Sequence, residues 1–247
     1  MTELAYLADP PAAYVRTFRS RVVARPPGAL ILDRTFFYPA GGGQPGDRGT
    51  VQGPGGSVDV VDVTKSGASV VHRVKGPADA LGALTVGTEI DGAVDWARRF
   101  RHMRLHTGQH FLSGRIFVRA GLRTRRATMG GLEAILDLEG PVAEELLVPL
   151  AADLAEAVRT PRPVSIRYVP RAEWDAHPAA ARAGLVPLPP AVDPVRVVEI
   201  EAADVCPCGG THLASTGELG RIALRADRAG ERVVLTLDAD GPPIPGP

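Results

Sequence analysis

Short runs bounded by turn residues open the pattern, and Phe18–Val23 reads as the first short strand. Similar short runs recur at Ala29–Asp33, Gly49–Gln52, Val58–Val63, Ser69–Val74 and Thr88–Trp96. Turn-forming stretches punctuate them, including Pro-Pro-Gly at 26–28, Gly-Pro-Gly-Gly at 53–56 and Lys-Ser-Gly at 65–67. Closely spaced short strands with such punctuation predict a small barrel or sandwich.

The period then changes. From Trp96 to Ala120 there is no proline, glycine occurs only at 108 and 114, and Gly121 follows. This predicts a long helix with a glycine stop. A second helix is expected over about Pro141–Arg159, with Leu146, Leu147, Leu150, Leu154 and Val158 at helical spacing and Pro149 inside it. An interior proline predicts a kink or a split. Beyond lie a strand at Pro163–Val169, a short helix at Arg171–His177 and a proline-rich loop at Val186–Pro194. Further strands are expected at Val195–Ile200, Arg221–Arg225 and Arg232–Leu237. The change of period puts a boundary near Asp95. An all-β unit spans 1–95, an α+β unit spans 96–240, and GPPIPGP at 241–247 reads as a disordered tail.

Composition narrows the class. The chain has 247 residues, 45% of them hydrophobic, enough for a sizeable core. No apolar run reaches ~18 residues, so no membrane span is expected, and the N-terminus lacks the basic and apolar regions of a secretion signal. The two cysteines, Cys206 and Cys208, are separated by one residue. Residues that close rarely form a structural disulfide, which makes a reducing cytoplasm the expected location. Net charge is zero, which argues against a general polyanion binder. Its distribution says more. Nine arginines and no acidic residue lie between Trp96 and Leu132: Arg98, Arg99, Arg101, Arg104, Arg115, Arg119, Arg123, Arg125 and Arg126. An arginine-rich composition explains arginine replacing lysine but not the local absence of acids, so a phosphate-facing surface is expected.

Two motifs carry chemistry. In LHTGQHFLSG, His106 and His110 stand four apart on the long helix, with rings one turn apart on one face. Such pairs are common without a metal, and His102 extends the series. Downstream, Cys208 and His212 are also four apart, separated by Gly-Gly-Thr, and the glycines are expected to adopt unusual backbone angles that aim both side chains at one point. Two histidines from a helix with a cysteine and a histidine from a loop form a set suited to Zn²⁺. His102 and Cys206 are surplus candidates. The residue after His106 is Thr107, where an HExxH peptidase keeps its glutamate base, so a peptidase of that class is not expected.

The second motif is FFYPAGGGQPGDRG, 36–49. Gly41, Gly43 and Gly46 satisfy a bare GxGxxG, but Pro45 and Asp47-Arg48-Gly49 do not open an apolar helix, and there is no GK[ST]. No nucleotide cofactor is expected. The stretch is either a tight loop between strands or a backbone-rich surface that approaches a small ligand, with Gln44 its most useful polar side chain.

LDRTFFYPAGGGQPGDRG, MRLHTGQHFLSG and VVEIEAADVCPCGGTHLASTGELG, in this order, resemble the free-standing alanyl-tRNA editing proteins (the AlaX family) and are similar to the editing half of alanyl-tRNA synthetase. The likeness covers about residues 18 to 237. Its HxxxH and CxxxH elements are shared with the editing domain of threonyl-tRNA synthetase, and the glycine-rich segment narrows it to the alanyl group. The resemblance implies an α+β fold, with a small N-terminal β-barrel followed by an α+β editing domain with an antiparallel sheet and long helices. It also implies zinc held by His106, His110, Cys208 and His212, and an editor acting in trans that hydrolyses mischarged tRNA(Ala), chiefly seryl and also glycyl, with no membrane partner. Gly41, Gly42 and Gly43 would lie beside the editing pocket. Thr107 and Gln44 are favoured as polar groups near the serine hydroxyl, and Arg123, Arg125 and Arg126 as contacts to the acceptor stem. Where relatives often have Thr-Ile-Asp-Leu, this chain has Ala134-Ile-Leu-Asp-Leu138. Two other classes fit the residues less fully: a zinc hydrolase of small aminoacyl esters or amides, and a non-catalytic module that binds zinc or tRNA.

Overall fold

The computed structural model describes residues 1–8, 11–183 and 188–238. The expected tail at 241–247 and part of the proline-rich loop lie outside the described residues. The chain divides into two units, Met1–Arg101 and His102–Pro247.

In the first unit, β1 (Thr17–Ala24), β2 (Ala29–Leu32), β3 (Gly49–Gly53), β4 (Gly56–Ser66), β5 (Ser69–Lys75) and β6 (Glu89–Val94) close a barrel in the order β1-β2-β5-β4-β3-β6. All its pairings are antiparallel. Burial alternates along β1, as strict inside–outside alternation requires. Phe18, Val22, Leu32, Val51, Val60, Val63 and Ile90 are buried in its core. Register shifts in β1 and β4 supply the local bends that a closed small barrel needs.

The glycine-rich stretch belongs to this unit. Gly41 and Gln44 exchange both backbone hydrogen bonds, at 3.1 and 2.9 Å. Between them Gly42 and Gly43 have φ of 56° and 82°, a two-residue turn with both central residues left-handed, which favours glycine. Gly46 is needed for space, because a Cβ there would lie 2.5 Å from the Val63 carbonyl oxygen.

The helix α1 (Trp96–Ala120) follows. Its start is capped by Asp95, whose Oδ1 accepts from Arg98 N at 3.0 Å. Its end is the expected glycine: Gly121 has φ of 70° and donates to the Phe117 carbonyl at 2.8 Å. The division between units falls within α1 rather than at Asp95. Its first residues are bonded to the barrel's own chain, Arg98 to the Gly46 carbonyl and Arg99 to Asp47.

The second unit holds two antiparallel sheets. One has β7 (Thr124–Gly130), β8 (Glu133–Leu138), β12 (Ile222–Ala226) and β13 (Arg232–Leu237), in the order β12-β13-β8-β7. The other joins β9 (Val164–Val169), β10 (Val195–Ile200) and β11 (Asp204–Pro207) in sequence. The helix α2 is Leu147–Arg159, preceded by a 3₁₀ turn at Glu144–Leu146. The expected kink at Pro149 is absent because the α-helix begins only two residues before it. A first-turn proline removes an N–H that had no intrahelical partner. No helix among the described residues is long and apolar enough to cross a membrane.

Candidate metal centre

All residues from His102 to Gly114 of α1 are buried. His106 and His110 lie on this segment at 3% and 6% exposure. They meet the chain again just past the end of β11. That strand pairs with β10 through Val198 opposite Cys206 and Val197 opposite Pro207. Cys208 extends the ladder by one bond, its N–H donating to the Arg196 carbonyl at 3.1 Å, while the Arg196 guanidinium bonds the Cys208 carbonyl. The cysteine is therefore gripped on both backbone sides before the chain turns back. In that turn the Gly210 N–H points to Cys208 Sγ at 3.3 Å. Gly209 has no left-handed φ and open space where a Cβ would sit. Neither Gly209 nor Gly210 has the left-handed φ expected of the pair, and the bond to the sulfur holds the turn.

The outcome is a convergence. One donor atom each from His106, His110, Cys208 and His212 lies within 4.8 Å of every other. Cys208 Sγ is 3.4 Å from His106 Nε2 and 3.3 Å from His212 Nε2. Tetrahedral zinc with bonds of about 2.0–2.3 Å holds its donors roughly 3.3–3.6 Å apart, so the donor types and the spacing both fit that ion.

The electrostatics agree. Burial alone would raise the Cys208 thiol, but the His106 and His212 rings, with hydrogen bonds from His106 and His110, hold it well below the usual thiol range. Burial, and then the His106 ring, push His212 down to about 3. Burial also opposes charge on His110, yet hydrogen bonds to Asp204 and Cys208 outweigh it and raise the ring to about 10. Binding a metal at such a site would displace protons from its ligands. Cys206 behaves differently. Burial, then the charge of Asp204, push its thiol upward, so it stays protonated.

Sequence reasoning missed the partners behind the quartet. Asp204 Oδ2 lies 2.8 Å from His110 Nδ1, and its other oxygen is paired with Arg182. Thr107 is fully buried. Its Oγ1 accepts from Leu213 N at 3.0 Å and sits 3.2 Å from His212 Nδ1. His102 is buried but lies outside the two clusters of possible metal ligands among the described residues. Of the other expected site residues, Gln44 is 2% exposed within the first unit, where Gly41 and Gly42 are exposed and Gly43 half-buried.

The arginines separate into two groups. Arg99 is buried against Asp47, the Ala13 carbonyl and the Phe36 carbonyl. Arg104 bonds the Leu219 carbonyl, Arg115 and Arg119 share Asp153, and Arg123 pairs with Glu139. The acids absent locally come from elsewhere in the chain. Arg125 and Arg126 are exposed on β7, an edge strand of its sheet, and Arg125 also reaches the Glu139 carbonyl.

Comparison with known proteins gives the same direction as the motifs. The family model of tRNA synthetases class II (A) matches residues 13–98, and that of the threonyl and alanyl tRNA synthetase second additional domain matches residues 195–234. The chain is 38% identical over 246 residues to an alanine–tRNA ligase of Pyrobaculum neutrophilum, covering 93% of this chain and 26% of the ligase. It is 35% identical over 248 residues to that of Pyrococcus abyssi, covering 97% of this chain and 26% of the ligase. It is 30% identical over 239 residues to the alanyl-tRNA editing protein Aarsd1 of Bos taurus, covering 89% of this chain and 51% of that protein. The chain thus spans about a quarter of the ligases and about half of the editing protein.

Proposed function

As a relative of the alanyl-tRNA editing proteins and of a segment of the alanine–tRNA ligases, this chain, we propose, is a hydrolase that removes wrongly attached serine, and glycine, from tRNA(Ala). The observation that carries the reading is the convergence of His106, His110, Cys208 and His212 on one point, inside a chain with that kinship. The four would hold zinc, which supplies a Lewis-acid centre for an aminoacyl ester.

The chain's own groups do the rest. Thr107 Oγ1 accepts from Leu213 N and faces His212 Nδ1. With His212 using Nε2 toward the metal, Nδ1–H donates to Thr107, and both lone pairs of that oxygen are taken. Its hydroxyl proton is then the one hydrogen-bonding capacity left to offer a substrate hydroxyl. A site that bonds a hydroxyl discriminates against alanine, whose methyl leaves the polar group unpaired. Gln44, Gly41, Gly42 and Gly43 of the first unit are assigned to substrate recognition from the resemblance of the glycine-rich stretch. Arg125 and Arg126, the exposed cations of β7, together with Arg123, are assigned to the acceptor-stem phosphates.

The test is direct. Zinc-loaded protein is added to tRNA(Ala) charged with serine, glycine or alanine, and free amino acid is followed in time. Seryl-tRNA(Ala) is expected to clear well ahead of the alanyl form. Equal clearance of the two would overturn the editing reading.

A further inference from the structure

The quartet leaves one buried carboxylate beside it without an assigned task. Asp204 opens β11, and its side chain is 1% exposed. A carboxylate that deep in a protein is retained only with partners, and it has two on opposite oxygens. Oδ2 is 2.8 Å from His110 Nδ1, and Oδ1 is paired with Arg182, whose Nη2 also donates to the Val205 carbonyl at 2.9 Å. Arg182 lies on the short helix Ala180–Ala183, so three separate segments meet at this carboxylate.

The same atoms admit a rival reading. His110, Asp204 and Cys206 also place one donor atom each within 4.8 Å of one another, as a second cation site would. Three observations decide against it. The 2.8 Å between His110 Nδ1 and Asp204 Oδ2 is an ordinary hydrogen-bond length, shorter than the roughly 3 Å or more that separates two donors bound to one ion at about 2.0–2.2 Å. The second oxygen of Asp204 already faces a guanidinium, which would repel an added cation. Cys206 Sγ already meets the Pro207 carbonyl at 3.6 Å.

We propose that Asp204 is a positioning residue for the metal centre: it accepts the Nδ1 proton of His110, fixes the tautomer that turns Nε2 to the metal, and is itself held in place by Arg182. Asp204 and Arg182 touch neither substrate nor metal and act through His110. Outer carboxylates of this kind raise the basicity and set the orientation of a ligating imidazole. The inference rests on the zinc reading above and adds to it which ring nitrogen is used, how many ions bind and which residues outside the quartet set affinity.

The experiment uses the full chain with zinc, titrated against a chromophoric chelator, and with cobalt as a spectroscopic stand-in. Wild type is expected to bind one zinc per chain. Asp204→Ala is expected to weaken zinc binding roughly 10- to 100-fold and to shift the cobalt absorption bands. Asp204→Asn, which keeps an acceptor oxygen, is expected to recover part of that affinity, and Arg182→Met to lose a smaller part. Cys206→Ala is expected to leave stoichiometry and affinity unchanged. Nitrogen-15 histidine spectra of the zinc-loaded wild type are expected to show His110 protonated at Nδ1 and metal-bound at Nε2, a readout that stands if the Asp204 variants do not fold. Metal at Nδ1, unaltered affinity in a folded Asp204→Ala, or two zincs falling to one in Cys206→Ala would overturn the proposal and leave the zinc reading intact. A wild type that binds no zinc would overturn both.

Discussion

Each of the two units buries a dense polar cluster, and the two clusters are built on opposite plans. In Met1–Arg101, Arg99 meets Asp47 and two carbonyls, and Asp47 accepts in turn from Tyr38 N. Cation, anion and backbone answer one another within the protein. In the second unit, three imidazoles and one thiol converge with no carboxylate among them. Four groups that offer lone pairs, pressed within a few ångströms, are complementary to a cation rather than to each other. The lesson is to judge a buried polar cluster by whether its donors and acceptors balance. Balance marks a structural tie, and a surplus of lone pairs marks a binding site.

The comparison can be broken in four places. The largest effect is expected from His110→Ala, which should lose zinc and lower seryl-tRNA(Ala) deacylation together, by roughly a hundredfold or more. Full zinc retention in that variant would sink the ligand assignment. Next comes Asp47→Ala, which strands a buried guanidinium and should lower unfolding stability by about 3–5 kcal/mol in denaturant titrations, without changing the zinc content of the folded fraction. A loss under ~1 kcal/mol would show that the pair is no structural tie.

His72 sharpens the contrast through pH. It is buried in the barrel unit, 2.9 Å from Thr35 Oγ1 and 3.2 Å from the Leu30 carbonyl. Burial lowers its pKa to about 4, against 6.5 for the ordinary ring. The unfolded chain therefore takes up a proton that the folded chain refuses. Stability is unaffected above pH 6.5 and falls as pH drops from 6.5 toward 4, by about 3 kcal/mol. Unfolding of zinc-saturated protein should show that slope, and His72→Gln should flatten it; parallel slopes in the two proteins would remove His72 from the account. The smallest effect is expected at the surface. Replacing Arg125 and Arg126 together by alanine should weaken tRNA binding severalfold and reduce its salt dependence by about two counterions. An unchanged salt slope would take β7 out of the interface.

Much of this was legible in the chain itself, for identifiable reasons. The six barrel strands announce themselves because Gly, Pro and Ser turns punctuate short runs rich in β-branched residues, as around Val58–Val63. The quartet is legible because chelation fixes both residue type and spacing. The missing parts are long-range. Nothing near Arg99, Arg119 or Arg123 in sequence signals that Asp47, Asp153 and Glu139 will neutralise them, so the arginine cluster read as a wider phosphate surface than the two exposed side chains of β7 provide. Asp204, two residues before Cys206, looks like any loop acid until the fold sets His110 against it. The bond that holds Thr107, from Leu213 N, spans more than a hundred residues and leaves no trace in the local sequence. Pro149 misled because helical spacing extends upstream of where the α-helix begins.

Gly114 carries a consequence for redesign. It sits in the interior of α1, where glycine is about 1 kcal/mol poorer than alanine, and any scheme that improves local propensity would replace it. A Cβ there would come within 2.1 Å of the Ala203 carbonyl oxygen and 3.3 Å of the Asp204 Cβ. The backbone turn at Ala202–Ala203 would have to retreat, and the carboxylate behind His110 with it. A change that strengthens the helix would disturb the candidate metal centre, and a weak helix former is the spacer that keeps two distant parts of the chain in register.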